Sequence, residues 1–240
     1  MIIDIHSHLT RNKITKKYAI EELIDDMNKN NIDVRAISTF EGSSIKDQND
    51  TISKYVQEYK DRLIGFAVIN PKEDNALEET KRALELPGII GVEFDSVQHG
   101  YYPDSTESIT AILEEVERHD GIVKVFTGIG AMSMPQQWAV YAKKFPNIVF
   151  IMLHMGCFDY GYSCVDLAVD YENIYLETSN QYEVQILKKA FNNVSEDKIL
   201  YGSQFPNKFT KNSINLFDFF KIEDSKLEKI LYSNSSKLIH

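Results

Sequence analysis

The chain has 240 residues, of which 43% are hydrophobic and 26% are charged, and its formal net charge is −10. These values are typical of a globular enzyme with one large core, and they argue against a nucleic-acid-binding surface, because phosphates repel an acidic protein. With two cysteines, no signal-peptide pattern and no apolar run longer than Ile148–Leu153, the sequence predicts a cytoplasmic protein with no disulfide framework and no membrane contact.

Short apolar runs alternate along the chain with longer amphipathic segments. The runs are rich in Ile and Val on both alternating faces, as in parallel strands covered by helices. In chain order they are Ile2–Ile5, Val34–Thr39, Leu63–Ile69, Ile89–Phe94, Ile122–Phe126, Ile148–Leu153, Ile174–Glu177 and Ile199–Tyr201. The segments with helical spacing include Tyr18–Asn30, Thr51–Lys60, Asn75–Leu86, Ser105–His119, Pro135–Phe145 and Gln181–Asn193. The alternation predicts either an α/β barrel or a doubly wound sheet.

Polar side chains follow nearly every predicted strand, and this distribution favours the barrel. They are His6, His8, Glu93, Asp95, Thr127, His154, Thr178, Ser179 and Gln204. A doubly wound sheet concentrates such groups near one switch point and usually has a glycine-rich phosphate turn, whereas Gly128-Ile129-Gly130 lacks the third glycine of that motif. The sequence therefore predicts a single (β/α)8 TIM barrel over residues 1–240, with its chemistry at the carboxyl ends of the strands.

His6-Ser7-His8, at the end of the first strand, is the strongest local motif. Side chains two apart on an extended chain point to the same side, so that two imidazoles can converge on one metal ion. Asp4 is placed to orient one of the rings. The alternative is a pair of solvated loop histidines, and the position after an apolar strand favours the metal pair.

His154 follows the apolar run that ends at Leu153. A buried imidazole needs a partner or a cavity. A lone histidine in this position is usually bonded to a nearby carbonyl in the core. His6 and His8 are expected at the same end of the barrel, which makes His154 a candidate metal ligand or general base.

Glu93 and Asp95 are a pair of carboxylates in and just after the fourth strand. Because they are two residues apart, both are expected to face the same side. A carboxylate among strand residues is costly unless it is paired or bound to a cation. Glu93 is a candidate ligand, and both residues are candidates for proton transfer. The competing interpretation, equally weighted, is a salt bridge from Glu93 to an Arg or Lys at the barrel mouth.

Taken in order, these segments resemble the metal-dependent amidohydrolase superfamily, in its amidohydrolase-related branch of small hydrolases and nonoxidative decarboxylases. The resemblance covers nearly the whole chain; it is carried by I-D-I-H-S-H at the start, G-V-E-F in strand four, F-P-N-I-V-F-I-M-L-H-M-G, N-I-Y-L-E-T-S and K-I-L-Y-G-S-Q-F-P. It implies a barrel with the H-x-H pair, a histidine ending strand five, a histidine ending strand six and a catalytic aspartate ending strand eight.

Two positions depart from that pattern. Phe126 stands where the strand-five histidine is expected, and Gln204 stands where the aspartate is expected. Phenylalanine cannot bind a metal, and a neutral amide cannot accept a proton from water near neutral pH. The predicted ligands that remain are His6, His8, His154 and Glu93, a set that favours zinc, with manganese as the alternative. Cys157 is either a softer ligand or a small buried thiol.

The leading expectation is a metal-dependent hydrolase of a small organic substrate with an amide, ester or lactone-type bond. The alternatives are a nonoxidative decarboxylase of the same family and a catalytically degenerate barrel that binds or supports a partner, as Phe126 and Gln204 would allow. Aromatic residues in the predicted loops either cap the helix layer or line the mouth: Tyr101, Tyr102, Phe158, Tyr160 and Tyr162. A homo-oligomer is left open.

Overall fold

The computed structural model describes residues 1–239, and it has the predicted (β/α)8 TIM barrel. All neighbouring strands in the eight-stranded sheet are parallel and follow the order of the sequence. The strands are β1 Ile3–His8, β2 Val34–Ser38, β3 Leu63–Val68, β4 Ile89–Phe94, β5 Ile122–Phe126, β6 Val149–Leu153, β7 Ile174–Glu177 and β8 Ile199–Leu200. β1 runs beyond its apolar residues, so that His6 and His8 belong to the strand itself.

The helices form the outer layer of the barrel. They are α1 Ile20–Lys29, α2 Ile45–Glu58, α3 Ala76–Leu84, α4 Ser96–His99, α5 Ser108–Arg118, α6 Pro135–Lys144, α7 Gly161–Asp170, α8 Val184–Asn193, α9 Thr210–Phe220, α10 Asp224–Glu228 and α11 Asn234–Ile239. Capping explains some of their starts: the Ser44 hydroxyl accepts a hydrogen bond from the Asp47 backbone N–H, 3.1 Å away, at the start of α2. Within residues 1–239, no helix is long and apolar enough to cross a membrane.

Backbone hydrogen bonds join the segment around β8 to β1 and bring the two ends of the sheet together. The Ile5 N–H donates to the Tyr201 carbonyl at 3.0 Å, and the Gln204 N–H donates to the His6 carbonyl at 2.8 Å. Gln204, in the loop that follows β8, is therefore held directly beside the first histidine of the H-x-H motif. The side chains inside the barrel form their own apolar cluster, with members from six strands: Ile5, Ala36, Phe66, Ile122, Ile151, Leu153 and Leu200.

Asp4 has a different role from the predicted one. Its carboxylate is fully buried and pairs with the Arg35 guanidinium, with Nε and Oδ2 2.8 Å apart. It also accepts hydrogen bonds from the backbone N–H of Ser203 at 2.9 Å and from the Ser203 hydroxyl at 2.5 Å. The expectation that Asp4 orients an imidazole is wrong: the carboxylate is used to neutralise Arg35 and to anchor the loop after β8, and that loop carries Gln204.

Candidate metal centre

A pocket of about 310 Å³ opens at the carboxyl ends of the strands. Its lining includes every predicted site residue together with the two that depart from the family pattern: His6, His8, Glu93, Asp95, His154, Phe126 and Gln204. The parallel strands all end at this face, which is why residues far apart in the sequence meet here. The predicted aromatic residues of the loops do not belong to the lining; its aromatic rings are those of Phe40 and Phe126.

His6 lies at the middle of the pocket floor. Its ring centroid is 4.8 Å from that of His8 and 5.0 Å from that of His154. The side chain is fully buried, and neither ring nitrogen has a hydrogen-bond partner in the described chain. Burial, reinforced by the positive charge of Lys124, holds the pKa of His6 well below its usual value, so the ring is neutral. A neutral, unpartnered imidazole between two others fits a divalent cation.

His8 and Glu93 form a direct contact beside His6. The His8 Nε2 atom lies 2.9 Å from Glu93 Oε1. The other oxygen of Glu93 accepts a hydrogen bond from the Ser38 hydroxyl at 2.8 Å and pairs with the Lys124 ammonium at 2.7 Å. Burial alone would raise the pKa of Glu93, but Lys124 and His8 outweigh it and hold that pKa well below its usual range. The expected salt bridge exists, and its partner lies inside the barrel rather than at its mouth.

His154 is held by its backbone and by Ser179. Its φ of 62° is in the left-handed region, as are those of the next two residues, and this turn aims the ring back into the pocket. The Nδ1 atom lies 2.9 Å from the Ser179 hydroxyl oxygen, which leaves Nε2 for the pocket. Burial lowers the pKa of His154 to about 3, so the ring is a neutral ligand.

Glu177 is a buried carboxylate near this centre that the sequence interpretation did not select. Its Oε2 accepts hydrogen bonds from the His154 backbone N–H at 3.0 Å and from the Ser179 hydroxyl at 2.8 Å. Burial raises its pKa to about 7. Gly202 leaves the room it needs, because a Cβ there would stand 2.2 Å from Glu177 Oε1. A carboxylate ending the apolar run of β7 was the available signal, and it is the same signal that marked Glu93.

Two groups of side chains have ligand atoms close enough to share an ion. In each group these atoms all lie within 4.8 Å of one another: His6, His8 and Glu93 form one, and His6, His154 and Glu177 form the other. Their common member is the unpartnered His6, and nitrogen with carboxylate oxygen is a donor set for zinc or manganese. Cys157 is outside both groups; burial raises the pKa of its thiol to about 12.

Asp95 follows β4 and caps the short helix α4. Its Oδ1 atom accepts hydrogen bonds from the backbone N–H groups of Val97 and Gln98, at 3.0 and 2.8 Å. As predicted, Asp95 lies on the same side as Glu93, and both line the pocket. Burial, with the charge of Glu93 nearby, raises the pKa of Asp95.

Phe126 and Gln204 occupy the positions where the family pattern has a ligand and a base. The Phe126 ring lies edge-on to His154 with centroids 5.4 Å apart. The Gln204 Nε2 atom is 3.4 Å from His154 Nε2, and the amide oxygen of Gln204 is buried without a partner among the described residues. Both substituted side chains therefore face the centre itself.

The chain matches the amidohydrolase family model (Amidohydro_2) over residues 3–240 and belongs to that family. Its curated relatives include a gamma-resorcylate decarboxylase of Polaromonas sp. strain JS666, 22% identical over 99% of this chain and 88% of the relative. Similar folds include a 2,6-dihydroxybenzoate decarboxylase from Rhizobium, with a TM-score of 0.78, 16% identity and coverage of 99% of this chain and 98% of that one.

A dihydroxybenzoic acid decarboxylase from Polaromonas sp. JS666, solved with bound manganese and the inhibitor 2-nitroresorcinol, has a TM-score of 0.77 and 17% identity over 99% of this chain and 96% of that one. These homologues are decarboxylases, and this one holds manganese. They support metal use by the family. Zinc is not confirmed.

Proposed function

We propose that this protein is a metal-dependent nonoxidative decarboxylase of a small aromatic carboxylic acid. The observation that carries the proposal is the unpartnered His6 between two other imidazoles. It is supported by a decarboxylase relative that matches 99% of this chain. This replaces the leading expectation of a hydrolase by its alternative. Manganese is the proposed metal, since a homologue binds it.

Three imidazoles and one carboxylate supply the proposed binding groups: His6, His8, His154 and Glu93. When bound, the ion would act as a Lewis acid that orients the substrate and draws electron density away from it. The Ser179 hydroxyl fixes the ring of His154, as groups behind metal ligands commonly do.

Decarboxylation breaks the bond between the ring carbon and the carboxylate carbon. The electron pair stays on the ring carbon, carbon dioxide leaves, and a proton must be delivered to that carbon. Gln204 cannot deliver it, because an amide is neither acid nor base near neutral pH. The oxygens of Glu93 are occupied by His8, Ser38 and Lys124.

Asp95 is the proposed proton-transfer group. It lines the pocket, and the hydrogen bonds that it accepts go to Oδ1, so that Oδ2 is available to a substrate. A pocket of about 310 Å³ has room for one substituted benzene ring. Phe40 and Phe126 provide apolar surface against which such a ring can pack.

The test uses protein loaded with manganese and offered 2,6-dihydroxybenzoate and 5-carboxyvanillate. Consumption of either acid with release of one carbon dioxide, and with one deuterium on the former carboxylated carbon in heavy water, supports the proposal. Aryl esters and lactones offered in parallel test hydrolysis. If manganese binds but no acid is consumed while an ester or lactone is cleaved, decarboxylation is refuted.

A barrel that binds a ligand without catalysis is the second candidate, and it is favoured by one observation. Phe126 and Gln204 both face the centre, where they remove one ligand and the usual base. Protein that binds neither manganese nor zinc and turns over none of these substrates would support it. Protein with one metal ion per chain that releases carbon dioxide would exclude it.

A further inference from the structure

Lys124 and Glu93 are direct register partners on the neighbouring strands β4 and β5. Residues paired in this way point to the same face of a sheet, so both side chains enter the barrel. Their charged atoms meet there, with Lys124 Nζ 2.7 Å from Glu93 Oε2. Glu93 lines the pocket next to the imidazole of His8, and Lys124 lies behind it, outside the lining.

Lys124 has no access to solvent. Its exposed fraction is 0%, its Nζ lies 3.5 Å from the Ile5 carbonyl oxygen, and it stands 4.3 Å above the ring of Phe66. A buried ammonium without a counter-ion is strongly destabilising. The protein therefore needs the Glu93 carboxylate to neutralise Lys124, whatever else that carboxylate does.

Glu93 is also a member of one of the two groups that can hold a metal ion. Its Oε2 already interacts with Lys124 and with the Ser38 hydroxyl, and its Oε1 with His8. A divalent cation placed against this carboxylate would lie within a few ångströms of a second positive charge. The single negative charge of the carboxylate would then have to stabilise two cations, so each would be bound less strongly than it would be alone.

We propose that Lys124 competes with the divalent metal ion for Glu93 and thereby weakens the metal affinity of the centre. This inference rests on the proposed metal use. Its consequence is that the metal-free barrel is already charge-balanced at Glu93, so the fold does not depend on the ion. Lys124 is a positioning residue that acts on the metal through Glu93.

The test is a cycle of variants on manganese affinity, measured by calorimetry on metal-free protein. The variants are Lys124→Met, Glu93→Gln and the two combined. Removing the ammonium frees the carboxylate, so Lys124→Met is expected to bind manganese at least about tenfold more tightly than the unaltered protein. In the Glu93→Gln background the same substitution should have little effect, because no carboxylate remains to be freed.

Thermal unfolding gives a second readout that does not depend on activity. Metal-free Lys124→Met should melt at a lower temperature, since Glu93 has lost its counter-ion, and manganese should raise that temperature by more than it does in the unaltered protein. Lys124→Gln, which keeps a hydrogen-bond donor near Glu93, serves if the Met variant does not fold. Lys198→Met is the matched control, because its buried ammonium donates to the backbone carbonyls of Ala168 and Tyr171 and, within residues 1–239, has no carboxylate partner. Lys198 directly precedes β8, so it lies at the opposite end of the barrel from the pocket.

Three outcomes would overturn the inference. Unchanged or weaker manganese binding by both Lys124 variants, with tight binding by the unaltered protein, refutes the competition and leaves the proposed function intact. If Lys124→Met tightens manganese binding equally with Glu and with Gln at position 93, Lys124 acts by simple charge repulsion and not by competition for Glu93. Absence of manganese binding in every variant refutes the proposed metal use, and the inference fails with it.

Discussion

Gln204 Nε2 lies 3.4 Å from His154 Nε2, across the gap between the loop after β8 and the end of β6. An amide thus contacts a predicted metal ligand at the position where the family pattern places a carboxylate. Gln204 has a φ of 56°, and its loop is anchored by Asp4 through Ser203. The amide is therefore held at the centre by its backbone, and its neutral charge is the property to test.

Gln204→Asp is expected to tighten manganese binding by about tenfold or more, because it adds a negative charge beside the imidazoles. Aspartate also tolerates the left-handed backbone at this position. Calorimetry on metal-free protein measures the change, and Gln204→Asn is the matched neutral control. Equal affinities for the Asp and Asn variants would show that residue 204 does not face the ion.

Removal of either histidine of the H-x-H pair should abolish stoichiometric metal binding. His6→Ala and His8→Ala each delete one nitrogen ligand. Loss of a group behind a ligand already costs roughly 10- to 100-fold in affinity, so for loss of a ligand itself we expect at least about a hundredfold. Elemental analysis after purification measures the metal content. His119→Ala is the control, since that ring bonds to Glu115 on α5, away from the pocket. Retention of one ion per chain in the His6 variant would contradict the predicted ligand set.

Asp95→Asn should lower the decarboxylation rate by about a hundredfold or more while leaving the structure and the metal affinity nearly unchanged, because it removes the proposed proton-transfer group. The asparagine oxygen can still cap α4, so the backbone is preserved. The measurements are carbon dioxide release, manganese affinity and the unfolding temperature. A variant with full activity would exclude Asp95 from proton transfer and direct attention to Glu177.

Arg35→Met should destabilise the fold by about 3–5 kcal/mol, because it leaves the buried carboxylate of Asp4 without its counter-ion. Urea unfolding of metal-free protein gives the free energy. Lys46→Met breaks an exposed pair with Asp50 and should change stability by less than about 1 kcal/mol. If the two variants lose the same amount, the buried network is not the anchor that the structure indicates. Asp4→Asn combined with Arg35→Met should recover part of the loss.

The strands and the positions of the predicted ligands follow from local pattern. Parallel strands buried on both faces must be apolar throughout, so polar residues at their ends are conspicuous, and His6, His8, Glu93 and His154 were found in this way. The helices near the C-terminus were not individually predicted, and α9 is an example. The apolar run Ile2–Ile5 also underestimates β1, because the polar residues up to His8 continue the strand into the pocket.

The local sequence pattern was sufficient to predict the barrel, because strands and helices each have a characteristic spacing of apolar residues and the two spacings alternate along the chain. Which charges meet was decided only by the pairing of the strands in the closed sheet. In the sequence alone, Lys124 is indistinguishable from any other lysine in a strand. Only the pairing of β5 with β4, in the observed register, places it next to Glu93. Asp4 likewise accepts a hydrogen bond from Ser203, which is 199 residues away in the sequence. Such pairings depend on register and on the inward or outward direction of each side chain, which become defined when the eight strands assemble.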